Sequence, residues 1–249
     1  MDYRDFRKFK QKAEEHFWYK ARGILINNLL NLALPKNNPT QKIIEIGCGT
    51  GIQLPLLAQF GEVEGLDLVP KSIEQVKKSG FTGRVFDIET ENLEKNSADV
   101  ISCFDVLEHL KQDDLALIKI AQALRPNGIF LFSIPAIPWL FGPHDQAAHH
   151  YRRYSRKDIK KKLESAGLEI KMIRHWNSWL LPMIITIRLI KKIINPKDQA
   201  NSDTKPLPKF TNYLLYQILA LETKLNGKGL VLPWGLSLYG YAIKKKYEN

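Results

Sequence analysis

Glu45-Ile46-Gly47-Cys48-Gly49-Thr50-Gly51 is the stretch that decides how this chain folds. It follows an apolar β run, Lys42–Ile46, and opens a helical stretch read over Gly51–Phe60, where Pro55 is tolerable only near the first turn. Glycines here permit a tight turn and close approach of the backbone to a ligand, and the helix N-terminus offers unpaired N–H groups to an anion. Asp67 comes 20 residues after Gly47, at the end of the next strand, where a carboxylate accepts hydrogen bonds from both hydroxyls of a ribose. A nicotinamide fingerprint would place its later glycines at +2 and +5. Here they fall at +2 and +4, Ile52 takes +5, and an acidic residue, Glu45, precedes the first glycine.

Outward from this stretch, short apolar runs alternate with helical ones. Glu62–Leu66, Gly83–Phe86, Ala98–Phe104 and Ile129–Ile134 read as strands. Pro70–Ser79 reads as a helix with Pro70 near its start and Gly80 at its end, and Asp113–Leu124 as one with acidic residues in its first turn. Ser155–Ala166 carries an approximate capping box, Ser155 with Asp158, and is closed by Gly167 before a strand at Leu168–Ile173. This alternation predicts an α/β fold, a parallel sheet covered by helices on both faces. Upstream, residues 1–35 read as an amphipathic helical segment, with Phe6, Phe9, Ala13, Phe17, Ala21, Leu25 and Leu29 at helical spacing, broken by Pro35, Asn37, Asn38 and Pro39. Downstream, Trp176–Ile194 is apolar with basic punctuation, Asn195–Lys209 is a polar linker, Phe210–Leu225 is a second helix and Leu236–Ile243 a last strand.

The glycine stretch resembles motif I of the class I S-adenosylmethionine-dependent methyltransferases, E/D-x-G-x-G-x-G, and further blocks fit the same family. Asp67 stands where that family holds the adenosine ribose, with Leu68 beside it. Asp87-Ile88 matches the pair at the adenine. Phe104, ahead of Asp105-Val106-Leu107-Glu108-His109, sits where a cofactor-pocket residue precedes the V-L-E-H block. Arg125-Pro126-Asn127-Gly128 matches the L-K/R-P-G-G turn, with Asn127 in place of the first glycine. The resemblance implies a doubly wound, Rossmann-like seven-stranded methyltransferase sheet with S-adenosyl-L-methionine as cofactor and S-adenosyl-L-homocysteine as product. The whole chain, 1–249, reads as one methyltransferase domain: an N-terminal helical cap (1–40), a cofactor-binding core (41–175), a helical lid or insertion before the last strand (176–233), and the last strand and tail (234–249). Within the family the chain is similar to ubiquinone-biosynthesis-like small-molecule methyltransferases. That likeness implies a cap arginine, Arg22, near the methionine carboxylate, and puts Trp18 and Tyr19 on the substrate side. Glu45, Gly47, Gly49 and Gly51 complete the implied cofactor set.

Pro135–Tyr154 follows the fifth strand, at the end of the sheet where such folds place ligands. Its tail, 144–154, packs three histidines, one aspartate, two arginines and two tyrosines into eleven residues. His144 or His149 is a candidate general base, with Asp145 orienting an imidazole. Asp145 and His149, four apart, would share a helix face as a metal pair, although no metal is assigned. Arg152 and Arg153 suit a carboxylate or phosphate clamp, and Tyr154 joins them as a substrate contact. A polar loop that merely shapes a lid remains open as the plainer reading. Glu108-His109 is a lower-ranked acid/base pair.

Composition narrows the partners. The 249 residues are 44% hydrophobic and 25% charged, as in a folded domain, and two cysteines exclude a disulfide scaffold and a four-cysteine zinc site. The first 17 residues lack an apolar signal region, so a reducing cytoplasm is expected. Net charge is +11, and residues 151–200 hold 13 basic residues against four acidic ones. Such a field suits an anionic partner or membrane surface, or is simply a solvated face. The run at 176–194 is too short to span a bilayer and suggests either an interfacial segment at a membrane's inner face or a helix buried against Phe210–Leu225. All five tryptophans and all nine tyrosines lie outside residues 41–135, where an amphipathic ring can keep one edge wet. The expected activity is methyl transfer to oxygen, less readily nitrogen, of a small or lipid-like acceptor. Two alternatives stand beside it: an RNA methyltransferase, against which no appended RNA-binding module is visible, and a cofactor-binding, membrane-associated protein without turnover.

Overall fold

The computed structural model describes residues 15–34, 41–194 and 207–245. The expectations for Phe6, Phe9 and Ala13, for the Pro35–Pro39 break and for most of the 195–209 linker lie outside them. Seven strands form one sheet: β1 (Lys42–Ile46), β2 (Glu62–Asp67), β3 (Thr82–Val85), β4 (Ala98–Phe104), β5 (Leu124–Pro135), β6 (Leu168–Trp176) and β7 (Ser237–Lys244), in the order β3-β2-β1-β4-β5-β7-β6. The first five are parallel, as read. The sheet is nonetheless mixed, because β7 runs antiparallel between β5 and β6. The chain leaves β6 at Trp176, builds the helical insertion and re-enters at the same end, Ser237 opposite Trp176, to run back down the gap between β5 and β6.

Alternation along the strands sends side chains to two cores. Ile44, Ile46, Ile101, Cys103, Phe130 and Phe132 pack on one face with α4 (Asp113–Ala123) and α6 (Arg156–Ser165). Ile43, Val100, Phe104 and Leu131 pack on the other with α1 (Phe17–Ala33), α3 (Pro70–Lys78) and α8 (Lys209–Gly227). Strands buried on both sides are why their sequences read as near-continuous apolar runs.

The punctuation signals act as expected. Pro70 occupies the first turn of α3, Lys77 and Lys78 sit in its last turn, and Gly80 follows at φ +84°. Ser155 and Asp158 form a complete capping box on α6, and Gly167 turns at φ +82°. Asn127, the departure from the glycine pattern, takes φ +64°, a conformation asparagine tolerates better than other side chains. Two readings change. The helix expected over Gly51–Phe60 is only α2 (Leu54–Leu57), with Pro55 at its start. The turn at Arg125–Gly128 is absorbed into β5, which begins at Leu124 opposite Ala98.

The insertion holds α7 (Leu181–Ile194) and α8. Helix α8 lies on the cap rather than serving as a cover for α7: Asn212 Oδ1 accepts the Phe17 N–H at 2.9 Å, and Leu215, Tyr216 and Ile218 join the cluster built on Ala21, Leu25 and Leu29. Its buried Glu222 and Thr223 grip the end of β6. Glu222 accepts the N–H groups of Ser178 and Trp179, and Thr223 Oγ1 accepts Trp176 Nε1–H at 2.8 Å. No motif in the sequence marks this latch.

Candidate active site

The loops after β1, β2, β4 and β5 meet at the carboxyl end of the sheet. Gly47, Gly49 and Gly51 all turn at positive φ, +68°, +53° and +80°. A Cβ on Gly47 would lie 2.3 Å from Val106 Cγ2, so glycine is required there for packing as well as for conformation. Asp67 closes the loop from the side: Oδ2 accepts the Gly49 N–H at 2.8 Å and Oδ1 the Val69 N–H at 2.9 Å. Each oxygen retains a lone pair that points outward from these bonds for a further donor. Leu68, next along, is 64% exposed. Asp87 Oδ1 accepts the Glu89 N–H, and Ile88 is buried in the core beneath it.

Glu45 is the acidic member of the loop, buried with Oε2 unbonded. Burial pushes its carboxyl up to about 8, a rise that the nearby Arg22 moderates and Asp67 reinforces. Arg22, on α1, is itself buried and bridges the cap to the end of β4: Nη2 donates to the Phe104 carbonyl at 2.9 Å and lies 2.7 Å from Asp105 Oδ2. The approach to Asp105 is an ion pair without a hydrogen bond, since Oδ2 accepts none. The guanidinium also sits 5.1 Å from the Trp18 ring centre and 5.9 Å from that of Phe104. Trp18 stands edge-on to Tyr19, whose hydroxyl is shifted upward by burial. Asp105 holds φ +56°, a conformation that costs energy in a residue other than glycine.

The loop after β5 rearranges the expected roles. It enters through Ile137 at φ +65°, an outlier for a β-branched residue. The helix that would align Asp145 with His149, α5 (Pro143–Ala147), ends at Ala147, and His149 turns out at φ +59°, exposed to solvent. Asp145 instead meets His150, Nδ1 to Oδ1 at 3.1 Å, and Arg153, whose Nε donates at 2.8 Å; it also accepts the Gly142 N–H at 3.0 Å. Burial raises the Asp145 carboxyl, but the bonds from His150 and Arg153 outweigh it and hold the group below the usual carboxylate range. His144 stands half-buried one position before Asp145.

The arginine clamp is also corrected. Arg153 is spent on Asp145 and the Ala136 carbonyl. Arg152 is spent on Asp113, at 2.6 Å, and the Lys111 carbonyl. Tyr154 is buried and donates to Asp113 at 2.8 Å, and burial drives its hydroxyl far above the ordinary range. Arg152 and Tyr154 tie the loop to the start of α4, while Arg153 ties it to Asp145 and the end of β5.

Beside this network stands a second titratable set. Glu108 is buried with Oε2 unbonded, and its carboxyl is raised by burial and by Asp105. The His109 ring meets His150 edge-on at 4.6 Å, and its imidazole is lowered by burial and by His150. Glu108, His109 and His150 bring one ligand atom each within 4.8 Å of the others, close enough to share a cation. Sequence reading singled out Glu108 and His109 but passed over His150; the signal available was the His149-His150 doublet, where position alone does not tell which ring turns inward.

A mostly parallel sheet, a glycine turn after β1 and a carboxylate closing β2 define the class I S-adenosylmethionine-dependent methyltransferases. Residues 17–172, more than half of the chain, match the methyltransferase domain family, and the chain belongs to it. It is similar to a ubiquinone biosynthesis O-methyltransferase of Rickettsia canadensis (strain McKiel), 26% identical over 53% of this chain and 64% of that protein, and so spans less than two thirds of that relative. Among solved structures it shares its fold with the methyltransferase complexed with the Trm112 activator of Haloferax volcanii, with TM-score 0.63, 14% identity and coverage of 100% of this chain and 98% of that one. It also shares it with phosphoethanolamine N-methyltransferase 2 of Haemonchus contortus bound to S-adenosyl-L-methionine, with TM-score 0.58, 18% identity and coverage of 88% and 51%. The residues present suit that cofactor: a glycine cradle that a Cβ would fill, a carboxylate with free lone pairs at the ribose position, and buried unbonded oxygens on Glu45 and Thr50.

Proposed function

We propose that this chain transfers a methyl group from S-adenosylmethionine to an oxygen of a small or lipid-like acceptor. The observation that carries the reading is the Asp67 carboxylate fastened to Gly49 across the ends of β1 and β2. In this reading Gly47, Gly49, Gly51, Asp67, Leu68, Asp87, Ile88 and Phe104 hold the cofactor, and Arg22 closes the cap over it. Oxygen is preferred because the Rickettsia relative is named an O-methyltransferase. The core at 41–175 binds cofactor, the described parts of 1–35, 136–154 and 176–233 cover the acceptor, and contact through 176–194 sets the work at the inner face of a membrane.

The bound cofactor supplies an electrophilic methyl group on a sulfonium. The chain's own task is to hold the acceptor in line, exclude water and take the hydroxyl proton. His150 is the base in this reading. With its proton on Nδ1 directed at Asp145, Nε2 is left as the acceptor, and the buried Asp145 stabilises the imidazolium that forms. A second reading is favoured by the unbonded Glu108 Oε2 among His109 and His150: a divalent cation there would lower the acceptor's pKa directly.

Incubation of the protein with methyl-tritiated S-adenosylmethionine and a cell extract, followed by solvent partition, tests the function. Label is expected in the organic phase and is expected to vanish with Asp67→Ala; label in RNA would overturn the acceptor. His150→Ala is expected to lower turnover by about 10²–10⁴-fold with little change in S-adenosylhomocysteine affinity. Activity that survives a chelator supports the base, whereas activity lost to a chelator and restored by a divalent ion supports the cation.

A further inference from the structure

Helix α7 is apolar on two sides. Leu181, Ile184 and Ile185 face inward against Leu140, Leu236 and Ile137. Met183, Ile187 and Ile190 recur at steps of four and three, which places them on one face of α7, with Trp179 in the turn just before the helix, and each of the four is between 40% and 48% exposed. The same end of the molecule gathers other exposed rings. Ser178 Oγ–H donates to the Trp234 carbonyl, bringing Trp234 beside Trp179, while Trp139 and Phe141 flank the Leu140 that packs on Leu181. Glu222 fixes the start of α7 through the Ser178 and Trp179 N–H groups, so the stripe is presented from an anchored end. Charge follows the same segment: from 177 to 197 the sequence has four basic residues, Arg188, Lys191, Lys192 and Lys197, and no acidic one.

We propose that α7 docks flat on an anionic lipid bilayer, its outer stripe in the acyl boundary and the exposed tryptophans at headgroup level. A bilayer supplies an apolar layer beneath a negative one, the complement of an apolar stripe on a segment whose only charged residues are basic. A second copy of this chain would bring four like charges against four, and lysine-rich margins are unfavourable in protein interfaces. The docked face includes the exposed Trp139 and Phe141, a few residues ahead of the Asp145–Tyr154 loop. The inference deepens the membrane part of the proposed function, and docking itself requires no methyl transfer.

Co-sedimentation with vesicles tests it, using phosphatidylcholine alone and phosphatidylcholine with about 30 mol % phosphatidylglycerol. Binding is expected to the anionic vesicles, weakening as salt is raised. Met183→Glu with Ile187→Glu is expected to weaken that binding at least about tenfold, and Lys191→Glu with Lys192→Glu to weaken it while leaving the apolar stripe intact. S-adenosylhomocysteine affinity, unchanged in both variants, reports that the fold persists and separates this result from any failure of methyl transfer. Wild-type protein that ignores anionic vesicles, or variants that bind as it does, overturn the proposal. So does a concentration-dependent dimer in sedimentation velocity that the glutamates abolish, which would assign the stripe to a second copy.

Discussion

Arg153→Met is expected to lower the unfolding free energy by about 3–5 kcal/mol at neutral pH, measured by urea denaturation. Both partners of the pair are buried, with side chains 5% and 0% exposed for Arg153 and Asp145. Removing the guanidinium strands the Asp145 carboxylate in the interior with only His150 and the Gly142 N–H for compensation. It also leaves the Ala136 carbonyl without its donor. The cost is that of an unpaired buried charge rather than of a lost contact, so Arg153→Met combined with Asp145→Asn should lose less than Arg153→Met alone. The linkage sign agrees. A carboxyl held low in the folded state contributes stability above its unfolded value, 3.8, and loses it as pH falls through the folded one. The wild-type advantage over the single variant should therefore shrink in acid. A single-variant loss under about 1 kcal/mol would mean that water relaxes into the site and the pair contributes as little as a surface bridge.

This network also shows where sequence reading runs out. The glycine turn, Asp67, the capping box at Ser155 and the parallel strands are local patterns, and each depends on neighbours a few residues away. The partners of the 144–154 block are distant: Tyr154 reaches Asp113 across 41 residues and Arg152 reaches it across 39. Residue type announced that this loop is chemically rich, but not that its arginines and tyrosine are consumed in holding it down. Spacing misled at Asp145 and His149 because the i, i+4 rule holds only while the helix continues, and this helix stops two residues before His149. Likewise the amphipathic pattern of Phe210–Leu225 announced a buried face without saying that the cap, not α7, would cover it.

Glu45→Gln is expected to flatten the dependence of stability on pH. The folded protein keeps a proton on Glu45 up to about 8, while the unfolded chain releases it near 4.5. Folding thus takes up a proton across that interval, and stability falls as pH rises through it. Below about 4.5 the group is protonated in both states and costs nothing; above about 8 the full penalty is present, on the order of 5 kcal/mol. Glutamine keeps the shape without the charge, so variant and wild type should differ by under about 1 kcal/mol at pH 5, and the variant should be much the more stable at pH 8. Glu108, raised by the same burial, leaves a residual slope of the same sign in the variant. Thermal melts at pH 5, 6.5 and 8 read the effect. Parallel curves for the two proteins would mean that Glu45 is ionised in the fold, its charge compensated by the Arg22 guanidinium nearby.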